Sequence, residues 1–151
     1  MYDKYIEFLK KYELYDQDVF DYISTRMIIV DYKHPDAKNL IGCFPIVRCG
    51  FVDDIRLCVP KIVDDISLSM NIHEYLHLLS TYKKLGKEYK EDKYDELLPV
   101  LFEFIYLSDN DPEYLEERKK YVMSCRDSNL KRLITTFEER EKEKVLFKKV
   151  W

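Results

Sequence analysis

A chain of 151 residues, 46% apolar and 36% charged, is long enough for one domain with a buried core, and its composition excludes wholesale disorder. Its 25 basic and 29 acidic side chains leave a net charge of −4 and are matched along most of the chain, so no nucleic-acid partner is expected. No apolar run approaches the roughly 20 residues that cross a bilayer, and residues 1–7 lack a signal-peptide pattern, so a cytoplasmic protein with no membrane association is expected.

The four cysteines, Cys43, Cys49, Cys58 and Cys125, form no CxxC pair. Three of them fall in apolar, strand-like sequence, where cysteine acts as a small hydrophobe in a reducing compartment. There is no internal repeat, low-complexity stretch or linker, so residues 1–151 are read as a single domain.

In chain order, residues 3–23 have helical spacing, with Ile6, Leu9, Phe20 and Ile23 inward and a break near Tyr15-Asp16. Residues 26–32, 40–51 and 55–63 are rich in Ile, Val, Phe and Cys and predict three or four short antiparallel strands, with a tight turn at Val52-Asp53-Asp54. A helix is expected from Asp65 to Leu85, ending at Gly86. Asp95 reads as the N-cap of the next helix, with Pro99 in its first turn, where a missing N–H does little harm. Asn110-Asp111-Pro112 restarts a helix towards Cys125, and Ser128 opens a highly charged last helix. The apolar residues at its end (Val145, Leu146, Phe147, Val150 and Trp151) predict docking on the domain or on a partner. Strands followed by helices, rather than an alternation, predict an α+β fold: a small antiparallel or mixed sheet, then an active-site helix and C-terminal helices.

The segment that carries chemistry is His73-Glu74-Tyr75-Leu76-His77. Helical positions four apart lie on one face, with Cβ atoms about 5–6 Å apart, so two imidazoles at this spacing can converge on one metal ion. Zinc favours imidazole nitrogen. Glu74 is rotated about 100° from His73, which keeps it off the metal and suits it to take a proton from a metal-activated water. The chain has only three histidines, so this pattern arises by chance in on the order of a few chains per thousand.

A third ligand is needed. His34 lies upstream in a Lys-His-Pro-Asp loop, while Ser80 and Lys83 occupy the glycine and histidine positions of the longer metzincin motif. Carboxylates on the next helix are the alternative. Glu96 and Glu103 are two turns apart on one face of an apolar helix, where an acid is costly unless paired or metal-bound. The reading of the residues leaves the choice between these two open. For the oxyanion of peptide hydrolysis, His34, Tyr106, Tyr114, Tyr121 and Arg126 are all chemically able.

His73-Glu74-Tyr75-Leu76-His77, then eighteen residues, then Glu96, resembles the gluzincin arrangement of HExxH on one helix and a glutamate ligand on the next. The gap is similar to that of thermolysin-like enzymes. The run from Glu96 through Pro99 to Glu103 is similar to the oligoendopeptidase and thimet group, although Pro99 falls one position later and Val100 replaces the thermolysin-type acid. The likeness covers about residues 70–104. It implies a zincin-like domain binding one Zn²⁺ through His73, His77 and Glu96, with Glu103 orienting a histidine or serving as the alternative third ligand. It further implies a metallopeptidase in which Glu74 is the general base, acting on a peptide or protein substrate. In zincins a strand before the active helix pairs with extended substrate, and by analogy residues 55–59 are the expected edge strand. The alternatives are a non-catalytic interaction module with a structural or vestigial zinc site, a short zinc peptidase of the kind that cleaves phage and mobile-element repressors, and a helical interaction protein with no metal. No motif specifies the substrate or the oligomeric state.

Overall fold

A computed structural model describes the backbone of residues 1–150 and the side chains of residues 1–142. The expected docking residues Val145, Leu146, Phe147, Val150 and Trp151 therefore lie outside the described side chains. The N-terminal half opens with two short helices, α1 (Tyr2–Lys11) and α2 (Gln17–Ile23), then strands β1 (Met27–Val30), β2 (Gly42–Arg48) and β3 (Phe51–Pro60). The second half is helical: α3 (Asp65–Tyr82), α4 (Leu97–Asn110), α5 (Pro112–Ser124) and α6 (Ser128–Val150). The fold is α+β, with a small mixed sheet. Among the described residues, no helix is long and apolar enough to cross a membrane.

The break near Tyr15-Asp16 is where expected. Asp16 caps α2 by accepting from the backbone N–H groups of Asp18 and Val19. Leu9 and Ile23 are buried, while Ile6 and Phe20 pack at the margin of the core.

The sheet is mixed, within what was expected: its order is β1-β3-β2, with β1 parallel and β2 antiparallel to β3. It departs from expectation in two respects. The turn falls at Cys49-Gly50 instead of Val52-Asp53-Asp54, and both of its residues have positive φ (51° and 86°), as in the primed turns that match strand twist. Asp53 and Asp54 continue the strand because arginines neutralise them: Arg48 lies 3.2 Å from Asp53, while Arg26 and Arg56 lie 2.8 and 2.6 Å from Asp54. Most consequentially, residues 55–59 form the centre of the sheet and not its edge. Leu57, Cys58, Val59 and Pro60 are buried in a near-continuous apolar run, as a strand flanked by two others requires. The edge beside α3 is β2, and Pro45 within it was the available signal, since proline is tolerated in a sheet only at edges. Cys58 is buried and Cys43 half-buried as expected of strand cysteines, whereas Cys49 is exposed in the turn.

α3 starts on a capping box in which the Asp64 carboxylate accepts from the Ser67 N–H and the Ser67 hydroxyl faces the Asp64 N–H. It is then fastened to the end of β3 by Asn71, whose amide donates to the carbonyls of Pro60 (2.8 Å) and Ser67 (2.9 Å). Ile72, Tyr75, Leu76 and Leu78 bury the inner face of α3 against the sheet, α1 and α4. α4 begins one residue later than expected, with Glu96 rather than Asp95 at the N-cap position and Pro99 in the first turn. Its Phe104 and Leu107 are fully buried. Asp111 caps α5, with Pro112 in the first turn. On α5 the buried Lys119 reaches Glu116, Glu138 and Glu141, and so ties α5 to α6.

Phe104 and Asp64 test the two kinds of support. Phe104→Ala is expected to lower unfolding stability in urea by about 3–5 kcal/mol, through lost transfer energy and a residual cavity. Asp64→Ala, which loses only a cap, is expected to cost about 1 kcal/mol. Equal costs would mean that the core around α4 is not closely packed.

Candidate metal centre

α3 carries two opposed faces. Asn71, Tyr75 and Leu78 point towards the sheet and line a cavity of about 490 Å³, whereas His77, Ser80, Thr81 and Lys84 face a separate cleft of about 1160 Å³. The other walls of that cleft are Cys43 and Pro45 of β2 and the segment 87–95. The segment is pinned to the β2–β3 turn by backbone bonds from Val52 to Lys87 (2.9 Å), Gly86 to Val52 (2.8 Å) and Tyr89 to Gly50 (2.8 Å). Burial pushes the Cys43 thiol up to about 12, so it lines the cleft as a neutral thiol.

The imidazoles of His73 and His77 lie side by side, with ring centroids 5.1 Å apart. Both present Nε2 to the same carboxylate. Glu96 Oε2 lies 3.1 Å from His73 and Glu96 Oε1 lies 2.8 Å from His77. One donor atom from each of the three residues lies within 4.8 Å of the others. Zinc bonds of about 2.0–2.1 Å put tetrahedral ligand atoms roughly 3.3 Å apart, so the imidazole–carboxylate separations fall a few tenths of an ångström inside that spacing. Two imidazole nitrogens and one carboxylate also match the chemistry zinc prefers. No fourth metal-ligating side chain joins the group among the described residues.

The two glutamates of α4 take different places. Glu96, at the helix start, keeps 43% of its side chain exposed and faces both Nε2 atoms. Glu103 is 4% exposed and lies behind His73, accepting from Nδ1 at 2.8 Å. An imidazole held at Nδ1 by a carboxylate leaves Nε2 as its free ligand atom. The geometry thus groups Glu96 with the histidine pair and sets Glu103 behind it.

Charge follows this layout. Burial opposes protonation of His73, but the carboxylates of Glu103 and Glu96 outweigh it and raise its pKa to about 10. Burial likewise works against ionised Glu96 and Glu103. The two histidines overcome it at Glu96, and His73 with Arg118 at Glu103, so both carboxyls stay below their ordinary range. Glu74 differs. Burial raises its pKa, the neighbouring Glu96 and Glu103 add to the rise, and the histidines oppose it. Its charge is felt at Cys43 of β2 and at Cys58 of β3. It makes no hydrogen bond or ion pair among the described residues.

The candidate oxyanion groups are dispersed. Tyr106 donates to Asp65 at 2.6 Å, at the far end of α3. His34 is exposed and its Nδ1 accepts from the Asp36 N–H. Tyr121 is exposed, with Arg118 over its ring, and Arg126 is exposed. Tyr114 is linked electrostatically to both Arg118 and Glu103, and Tyr121 to Arg118. Arg118 itself went unread in the sequence, because only the packing of α5 on α4 brings it to Glu103. Comparisons with protein-family models, curated proteins and solved structures found no match for this chain.

In metal-free protein the His73 contribution to stability is complete below its ordinary pKa of 6.5 and is lost as pH rises towards about 10. The Glu96 and Glu103 contributions are present above their ordinary 4.5 and are lost as pH falls. Urea unfolding in the presence of a chelator should therefore show falling stability above pH 6.5, and that fall should flatten in Glu96→Gln. A slope unchanged by the substitution would show that other groups cause it.

Proposed function

We propose that this protein is a minimal zinc-dependent peptidase with a zincin-like domain, its metal held by His73, His77 and Glu96. The observation that carries the reading is the convergence of two imidazole Nε2 atoms and one carboxylate beside the unpaired carboxylate of Glu74. Three protein donors, with no fourth among the described residues, is the count of a catalytic zinc site, whereas structural sites are closed by four. The likeness of residues 70–104 to the gluzincin pattern supports the same reading.

A zinc ion in this site would polarise the scissile carbonyl and make water more acidic. Glu74 would serve as the general base that holds a proton from water and returns it to the leaving amine, and the basicity given by burial suits it to both roles. Glu103 keeps the His73 ring turned with Nε2 towards Glu96. An extended peptide fits the cleft because β2 is an edge strand there, so substrate backbone can add to the sheet beyond Cys43 and Pro45.

Metal analysis and peptide hydrolysis test the proposal together. Purified protein should carry about one zinc per chain, and His77→Ala should lose it. Glu74→Gln should retain the metal while cleavage of a mixed peptide library slows by about 10²–10⁴-fold, the usual contribution of a general base. Wild-type protein without divalent metal, or Glu74→Gln cleaving at the wild-type rate, would overturn the reading.

A further inference from the structure

The contacts behind His73 extend one helix beyond the metal centre. Arg118, on α5, donates through Nη2 to Glu103 Oε1 at 3.0 Å and through Nε to Glu103 Oε2 at 2.5 Å. Oε1 is also the oxygen that accepts from His73 Nδ1. A carboxylate that is 4% exposed is thus gripped by three donors, two of them in the rigid guanidinium fork.

The fork decides what the carboxylate can do. A glutamate held only by His73 could turn about its last torsion and accept through either oxygen, and the imidazole would turn with it. Two parallel bonds from one planar guanidinium fix the carboxylate plane. That plane sets where Nδ1 must lie, and the rigid ring then sets Nε2 on its opposite side, where Glu96 and His77 meet it.

We propose that Arg118 is a positioning residue for the metal centre, acting through Glu103 to fix the His73 ring and making α5 a working part of the site. As far as metal affinity is concerned, the proposal rests on the zinc reading above. The ring orientation does not. A purely structural role, as a charged tie between α4 and α5, would affect folding without affecting His73.

The test is a double-mutant cycle on the full chain, with Arg118→Lys, Glu103→Gln and their combination, scored by zinc affinity in a chelator competition and by thermal unfolding. Arg118→Lys keeps the charge and removes the fork. It should weaken zinc binding about 10–100-fold, the usual cost of losing an orienting group behind a ligand. Adding Glu103→Gln should then cause little further loss. Lys119→Met, which breaks the tie from α5 to α6, should lower the melting temperature and leave zinc affinity unchanged. Zinc affinity in Arg118→Lys within twofold of wild type, or fully additive losses, would overturn the proposal. In metal-free protein, ¹H–¹⁵N spectra should show a slowly exchanging His73 Nδ1–H that is lost in both Arg118→Lys and Arg118→Gln. Should the wild type bind no zinc, the peptidase reading fails, and this signal alone decides the role of Arg118: its persistence in either variant overturns it.

Discussion

A carboxylate buried in α4 has to be neutralised where it stands, and the helical half of the molecule is arranged around Glu103 accordingly. Isolated burial of such a charge costs several kcal/mol, and removing one partner of a buried pair typically costs about 3–5 kcal/mol. Arg118 supplies the compensating charge from α5 and His73 supplies a donor from α3. One side chain thus sets the registry of three helices. It also determines the direction in which the His73 ring faces, and so links the packing of the bundle to the geometry of the centre.

The sheet makes the complementary contribution. Because β3 is central and β2 lies at the edge, the outward face of α3 has a strand on one side and the pinned segment 87–95 on the other, with the cleft between them. The capping box at Asp64 and the Asn71 amide hold α3 against the end of β3, so the histidines project from a helix with little freedom to slide. The inner face of that helix is committed to the core. Its outer face lines the cleft through His77, Ser80 and Thr81.

Much of the site was legible in advance because its spacing is local. His73 and His77 share a helix face by the pitch of the helix alone, and Glu74 is turned aside by the same geometry. Glu96 and Glu103 stood out as acids on an apolar helix. The choice between them was not legible, since residues seven apart lie on nearly the same face and sequence does not say how far along α4 the helix α3 crosses. The sheet misled for a similar reason. An apolar run such as residues 55–59 reads equally well as an edge or a centre, and only Pro45 marked the true edge.

The sequence by itself determined the elements, the two-imidazole face of α3 and the acidic candidates on α4, because each depends on backbone periodicity within a single segment. The tertiary structure alone decided that Glu96 meets both Nε2 atoms, that Glu103 lies behind His73, that Arg118 holds it, and that β2 borders the cleft. Each of these brings together side chains from different elements. Their meeting depends on crossing positions and strand order, which follow from how the whole core packs and are written in no single segment.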